Sequence, residues 1–119
     1  MTVNQLMAAT NTSEVCCSGS EISLLAASDA ELLAGLFKAL ADPTRVRLLR
    51  HLSESEDATA CACHLPDALG ISQPTLSFHM RKLHQSGLVK REKRGRWVHW
   101  TVQEDAVAMV RDFLILPSA

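Results

Sequence analysis

The residues that decide the fold run from 61 to 86, CACHLPDALGISQPTLSFHMRKLHQS. They predict a short helix over about 61–69 that ends at Gly70, because glycine readily adopts the left-handed conformation common at helix ends. Ser72 then offers an N-cap to a longer helix with Pro74 in its first turn. Two helices joined by so short a turn have the spacing of a helix–turn–helix.

The second of these helices has an apolar face and a polar face. Leu76, Met80 and Leu83 recur at helical spacing and are predicted to face inward. The opposite face carries short polar groups and a cation, which suit base edges and phosphates in a major groove. The residues predicted to contact DNA here are Ser72, Gln73, Thr75, Ser77, His79 and Lys82. The alternative is an amphipathic helix whose polar face only meets solvent.

A basic β-hairpin is predicted directly after this helix. Two β-prone runs, 88–92 and 97–102, flank the turn Lys93-Arg94-Gly95-Arg96. Arg94 and Arg96 at the tip can reach a DNA backbone or minor groove. A polar helix beside a basic hairpin favours DNA binding over a merely solvated surface.

Further helices flank this unit on both sides. Ser28 or Asp29 is predicted to cap a first helix, and Asp42 a second helix that has Pro43 at its first position. Residues 53–59 are predicted to be a polar loop, and residues 104–116 a last helix. The predicted apolar positions of the first two helices are Leu32, Leu33, Leu36, Phe37, Leu40, Val46, Leu48, Leu49 and Leu52. The fold class is mainly α with a β-hairpin wing, an α+β winged helix–turn–helix.

The 119 residues fit one small domain with an N-terminal arm. Residues 1–28 are predicted to be a mobile arm with a short helical turn near 21–26, and residues 29–116 to form the domain. We expect a cytoplasmic protein, since no apolar run reaches the roughly 18 residues of a membrane span and no signal peptide is visible. The net charge of −1 divides unevenly: residues 71–100 hold seven basic residues and one acidic, and the rest hold five basic and twelve acidic. A basic block on an acidic body is a candidate nucleic-acid footprint.

Four cysteines fall in two close pairs, Cys16-Cys17 and Cys61-Ala62-Cys63. Without an export signal, structural disulfides are disfavoured, and adjacent cysteines rarely bridge without strain. Close thiol pairs instead favour a soft-ion or redox site, since thiolates prefer thiophilic ions. Cys61 and Cys63 lie about 200° apart around an ideal helix, so both can reach one ion only if the helix is unwound there.

Three stretches resemble the ArsR/SmtB family of metal-responsive winged-helix repressors. Residues 37–49 (FKALADPTRVRLL) resemble its entry motif, residues 71–80 (ISQPTLSFHM) its recognition helix, and residues 87–98 its wing. The resemblance covers about residues 30–116. It implies a homodimeric DNA-binding repressor that has its first and last helices in the dimer interface and leaves its operator when an inducer binds. Two recognition helices related by dimer symmetry predict an operator that is an imperfect palindrome.

The same resemblance locates an inducer site. Residues 61–65 (CACHL) stand where thiol sensors of the family have Cys-x-Cys-Asp-Leu, although His64 replaces the acidic residue. The third cysteine of arsenic sensors would fall at Pro66, so the remaining ligands must come from the arm. The zinc site that other members have on the last helix is absent, because no histidine follows Glu104. The predicted metal ligands are Cys16, Cys17, Cys61 and Cys63.

The leading hypothesis is a repressor, with no cofactor for DNA binding, that As(III) or Sb(III) releases from its operator. A cadmium or lead sensor of the same family is the alternative, and a thiol redox switch that needs no metal is another. Acidic neighbours of the cysteines do little to activate a thiol, which disfavours the redox hypothesis. An enzyme is disfavoured because the sequence shows neither a Cys-His-Asp constellation nor a phosphate loop.

Overall fold

The computed structural model describes residues 22–116, which form five α-helices and one three-stranded sheet. In chain order the elements are α1 (Ala27–Leu40), α2 (Pro43–Glu54), a 3₁₀ turn (Glu56–Ala58), β1 (Thr59–Cys61), α3 (Leu65–Leu69), α4 (Gln73–Ser86), β2 (Val89–Arg94), β3 (Trp97–Val102) and α5 (Glu104–Leu114). This order confirms the predicted α+β winged helix–turn–helix. None of the described helices is long and apolar enough to cross a membrane.

The helix–turn–helix begins and ends where its capping residues predict. Ser72 Oγ accepts a hydrogen bond from the Thr75 backbone N–H at 3.2 Å, so Ser72 is the N-cap and α4 begins at Gln73. Gly70 (φ 68°) ends α3 and Gly87 (φ 92°) ends α4, both in the left-handed conformation. A side chain at either position would strain the backbone. The tight turn between α3 and α4 is therefore confirmed.

The corner between α1 and α2 depends on Asp42. Its Oδ1 accepts hydrogen bonds from the backbone N–H groups of Thr44 at 2.8 Å and Arg45 at 3.2 Å. Pro43 occupies the first helical position, where a missing N–H costs nothing. The predicted cap of α2 is therefore confirmed.

The predicted ends of the outer helices are wrong by about two residues. α1 begins at Ala27, and the preceding Ala26 makes no side-chain cap, so Ser28 and Asp29 lie within the first turn. No helical turn is present over residues 22–26. An acidic residue in the first turn is favourable beside the helix dipole, which explains why Asp29 is accepted there. α5 ends at Leu114, and Pro117, predicted to stop it, lies outside the described residues.

The sheet contains a strand that the sequence analysis does not predict. β1 pairs antiparallel with one edge of β3, and β2 pairs with the other edge. The register of the first pair is Thr59↔Thr101, Ala60↔Trp100 and Cys61↔His99. The polar loop predicted over residues 53–59 and the helix predicted from about residue 61 both overlap β1, so both predictions are wrong there. Three residues are too few to show a period-two pattern, and β3 supplies the hydrogen bonds that make them a strand.

The core lies between the helices and the sheet. Leu76, Met80 and Leu83 are each at most 1% exposed, which confirms the predicted inner face of α4. Leu32 and Val46, predicted to be buried, are each 51% exposed, because they lie at the outer margins of apolar stripes wider than the contact surface. The remaining members of the buried cluster are Leu36, Ala39, Leu48, Leu52, Leu65, Leu88, Val89 and Val102.

Candidate nucleic-acid interface and thiol site

α4 presents a polar surface on the side opposite its core face. The predicted residues that are exposed there are Gln73, Thr75, Ser77 and Lys82. Ser72 at the N-cap is also exposed, but its Oγ donates to Thr75 Oγ1 at 2.9 Å while accepting from the Thr75 N–H. These two hydroxyls therefore already serve the helix start. Gln73 and Ser77, one turn apart, are the better placed to meet base edges.

His79 does not lie on this exposed surface, contrary to the prediction. Its side chain is 12% exposed, and its Nδ1 lies 3.1 Å from Arg45 Nη1 and 3.9 Å from Asp42 Oδ1. His79 follows Leu76 by three residues and precedes Met80, so the helix turns it toward the α1–α2 corner. That spacing is visible in the sequence, and it is the signal that the prediction overlooks.

Phe78 is an exposed aromatic residue that the sequence analysis does not single out. It is 44% exposed on α4, and Lys82 Nζ lies 5.4 Å from the centre of its ring. This distance is within the range of a cation–π contact. The contact holds the Lys82 ammonium against the surface of α4, beside the polar residues.

β2 and β3 form the predicted basic hairpin, and Gly95 (φ 65°) makes its turn. Arg94 and Arg96 are exposed at the tip. Arg94 Nη2 lies 3.1 Å from Glu92 Oε1, and both side chains are about half exposed. An ion pair this exposed contributes only about 0–1 kcal/mol, so Arg94 can exchange Glu92 for a phosphate.

Cys61 and Cys63 lie on a strand end and in a turn, not on a helix. Cys61 is the last residue of β1, and α3 begins only at Leu65. The helix predicted over residues 61–64 is therefore wrong. Because these residues are not helical, however, the condition that lets both sulfurs reach one ion is met. The two Cα atoms are 5.5 Å apart and the Sγ atoms form a disulfide, contrary to the expectation that disulfides are disfavoured.

A cleft of about 590 Å³ lies beside the two cysteines, between α4 and the sheet. Both cysteines line it, together with Gln73 and Ser77 of α4 and residues of the wing strands. The wing residues include Trp97, which is 55% exposed and which sequence reasoning missed. The cysteines therefore border both elements that are predicted to contact DNA.

The other two predicted ligands, Cys16 and Cys17, lie outside the described residues. Within residues 22–116, no three His, Cys, Asp or Glu side chains are arranged to hold a metal ion. His99, the cross-strand partner of Cys61, has a buried Nδ1 with no hydrogen-bond partner in this part of the chain. The described residues thus bring together two sulfurs, and a three-sulfur site needs a ligand from elsewhere.

α1 and α5 pack against each other and share an exposed apolar face. The rings of Phe37 and Phe113 lie 5.7 Å apart at their centres. Leu32 on α1, with Phe113 and Leu114 on α5, are each at least half exposed. Exposed apolar side chains on two packed helices are typical of an interaction surface.

Comparison with known proteins relates most of the domain to transcriptional regulators. A family model described as "Bacterial regulatory protein, arsR family" matches residues 42–91. An uncharacterised HTH-type transcriptional regulator of Methanocaldococcus jannaschii is 39% identical over 77 residues, which are 65% of this chain and 84% of that protein. The arsenical resistance operon repressor of Escherichia coli is 46% identical over 65 residues, which are 55% of this chain and 54% of that protein. The chain therefore spans about half the length of the second relative.

One solved structure extends the likeness beyond the helix–turn–helix. The crystal structure of the antimony-specific transcriptional repressor AntR is 25% identical and superposes with a TM-score of 0.61. The match covers 84% of this chain and 89% of that chain. The likeness thus includes more of the chain than the segment matched by the family model.

Proposed function

Because the chain belongs to the arsR family of bacterial regulatory proteins and is a transcriptional regulator rather than an enzyme, we propose that it is a repressor and that As(III) or Sb(III) bound to its thiolates releases it from operator DNA. The observation that carries this proposal is the convergence of Cys61 and Cys63 beside the cleft shared by α4 and the wing. An ion that binds these sulfurs acts where the two DNA-contacting elements meet. DNA binding itself uses no cofactor and takes place in the cytoplasm.

In this proposal α4 enters the major groove and the wing contacts the adjacent backbone. Gln73 and Ser77 meet base edges from the exposed side of α4. The start of α4 offers backbone N–H groups and a positive dipole end to a phosphate. The residues proposed to contact phosphates are Ser72, Thr75, Lys82, Arg94 and Arg96.

The exposed face of α1 and α5 is proposed to pair with a second copy of this chain. The face belongs to the helices that flank the DNA-contacting unit, so a two-fold dimer through it leaves both copies of α4 accessible. It offers Leu32, Phe113 and Leu114 as apolar contacts. Such a dimer places two copies of α4 about one turn of DNA, roughly 34 Å, apart on an imperfect palindrome.

The ion is proposed to bind three sulfurs, with at least one from each cysteine pair. A thiol reductant opens the disulfide by exchange, becomes a disulfide itself and leaves Cys61 and Cys63 as free thiols. Cys16 or Cys17 of the arm then completes the site. An ion bound to sulfurs of both pairs ties the two segments together, which makes the ion the switch. The arsenical and antimony repressors among the relatives favour these ions over cadmium or lead, which remain the alternative.

DNA-binding anisotropy under reducing conditions tests this function. We expect arsenite or antimonite to lower the affinity about 5- to 150-fold, the usual range of coupling between two sites. Cys61→Ser and Cys63→Ser should bind DNA like the parent but no longer respond to arsenite. The Cys16→Ser, Cys17→Ser double variant should behave in the same way.

Parallel titrations with cadmium, lead and zinc identify the ion class. If the Cys16→Ser, Cys17→Ser variant responds to arsenite like the parent, the arm does not contribute ligands to the site. Release by zinc alone, with no response to arsenite or antimonite, would overturn the choice of ion.

A thiol redox switch is the second candidate, and the Cys61–Cys63 disulfide favours it. Under this hypothesis, peroxide lowers operator affinity without any ion and a thiol reductant restores it. Cys61→Ser should remove the peroxide response. If the oxidised and reduced proteins bind the same DNA equally, the disulfide is not the switch.

A further inference from the structure

Arg45 connects the end of α1 to α4 through a single guanidinium group. Its Nε donates to the backbone carbonyl of Ala39 at 2.6 Å, and its Nη1 lies 3.1 Å from His79 Nδ1. Ala39 is buried in the last turn of α1, and His79 lies in the middle of α4. One side chain therefore joins the helix with the exposed apolar face to the helix with the exposed polar residues.

The chemistry of this contact sets the direction of the hydrogen bond. A guanidinium group has donors only, so Nδ1 of His79 must accept, and in the neutral ring Nε2 then carries the proton. Asp42 Oδ1 is 3.9 Å from Nδ1, beyond hydrogen-bond distance, and it accepts from two backbone N–H groups instead. Arg45 is therefore the group that holds the His79 ring.

We propose that Arg45 and His79 are positioning residues that set the angle of α4 relative to α1, and that His79 does not contact bases. This inference rests on the proposed operator binding, because two copies of α4 must enter successive grooves. A small rotation of each α4 against the dimer interface would misplace both at once. The 12% exposure of His79 supports a role through Arg45 rather than through DNA.

Two substitutions of His79 separate positioning from direct contact. In His79→Asn, the amide oxygen takes the place of Nδ1 and keeps an acceptor for Arg45. In His79→Gln, the terminal amide takes the place of Nε2 and the acceptor moves away. We expect the Asn variant to keep operator affinity within about threefold, and the Gln variant to lose about tenfold, with an unchanged salt slope. If the Gln variant binds normally and the Asn variant does not, His79 contacts DNA directly and the proposal is overturned.

Substitution of Arg45 tests the other side of the contact. Arg45→Lys keeps the charge, but one ammonium group cannot reproduce the fork that reaches both Ala39 and His79. We expect about tenfold weaker operator binding with an unchanged dimer and an unchanged salt slope. Arg50→Lys is the matched control, since Arg50 lies on the same helix, is 74% exposed and should be replaceable without effect.

The combination of both changes measures whether the two residues act together. Arg45→Lys with His79→Gln should lose little more affinity than the larger single loss, as residues of one contact do. Fully additive losses, or parent-like binding by Arg45→Lys, would overturn the proposal. Thermal unfolding of each variant shows that it is folded at the assay temperature, and the Asn variant preserves the test if another does not fold. The parent is measured first, so absence of any DNA binding would count against the proposed function and not against this contact.

Discussion

Asp42 determines both where α2 begins and how acid affects the corner beside α4. Burial raises the pKa of its carboxyl, but the backbone N–H groups of Arg45 and Thr44, with the nearby positive charge of Arg45, outweigh this and lower the pKa below its ordinary value. A carboxyl whose pKa is lowered by folding stabilises the fold at pH values above its ordinary pKa. That stabilisation is lost as the pH falls through the folded-state value.

Asp42→Ala should therefore lower the Tm at neutral pH, because two backbone N–H groups lose their acceptor. The Tm difference from the parent should shrink in acid, where the parent carboxyl is protonated and loses the same stabilisation. Thermal melts followed by circular dichroism from about pH 7 down to about pH 3 measure this difference. Asp42→Asn keeps a cap oxygen and should stay closer to the parent at pH 7. An equal Tm difference at both ends of the pH range would contradict the assignment.

At the scale of an element, the wing separates a buried base from an exposed tip. Val89 and Val102 at the base are 1% and 8% exposed, whereas Arg94 and Arg96 at the tip face solvent. Changes at the tip therefore leave the core intact. Any effect that they have on DNA binding reports on the contact itself.

Replacing Arg94 or Arg96 with Ala should weaken binding to all DNA sequences and reduce the salt slope by about one unit for each lost phosphate contact. Glu92→Gln, which removes the partner of Arg94 but no cation, is the control and should leave the slope unchanged. Anisotropy at several salt concentrations gives the slope. Unchanged affinity and slope in both arginine variants would mean that the wing does not touch DNA.

At the scale of the whole molecule, the apolar face of α1 and α5 determines the proposed assembly. Phe113→Glu places a charge in this face and should produce a monomer by light scattering at micromolar concentration, with operator affinity at least about tenfold lower. Gln103→Glu adds a charge just before the same helix and is the control. A Phe113→Glu variant that remains dimeric would place the interface elsewhere.

The dimer also predicts the form of the operator. Selection from a random duplex library should recover an inverted repeat whose half-sites are centred about one helical turn apart. The symmetry of the protein requires this, because each α4 reads one half-site. Recovery of a single unrepeated half-site, bound tightly by one chain, would contradict the proposed assembly.

Local sequence determined the helix–turn–helix, its caps and the inner face of α4. Ser72, Gly70 and Asp42 act on backbone groups within a few residues, and Leu76, Met80 and Leu83 follow the helical period. The basic hairpin is likewise visible from its turn and its two β-prone runs. These features depend on neighbours in the chain, so the sequence alone is sufficient to predict them.

Only the tertiary structure decided β1, the setting of Cys61 and the partner of His79. β1 exists because β3, about 40 residues later, supplies its partners, and the Thr101 hydroxyl also donates a hydrogen bond of 2.7 Å to the Thr59 hydroxyl across this pair. That pairing makes Cys61 a strand residue, whereas local pattern suggested a helix. The helical spacing of His79 places it beside the core face, but its partner Arg45 lies 34 residues earlier in the chain. Contacts across such separations form only when the chain packs, and no local pattern of residues encodes them.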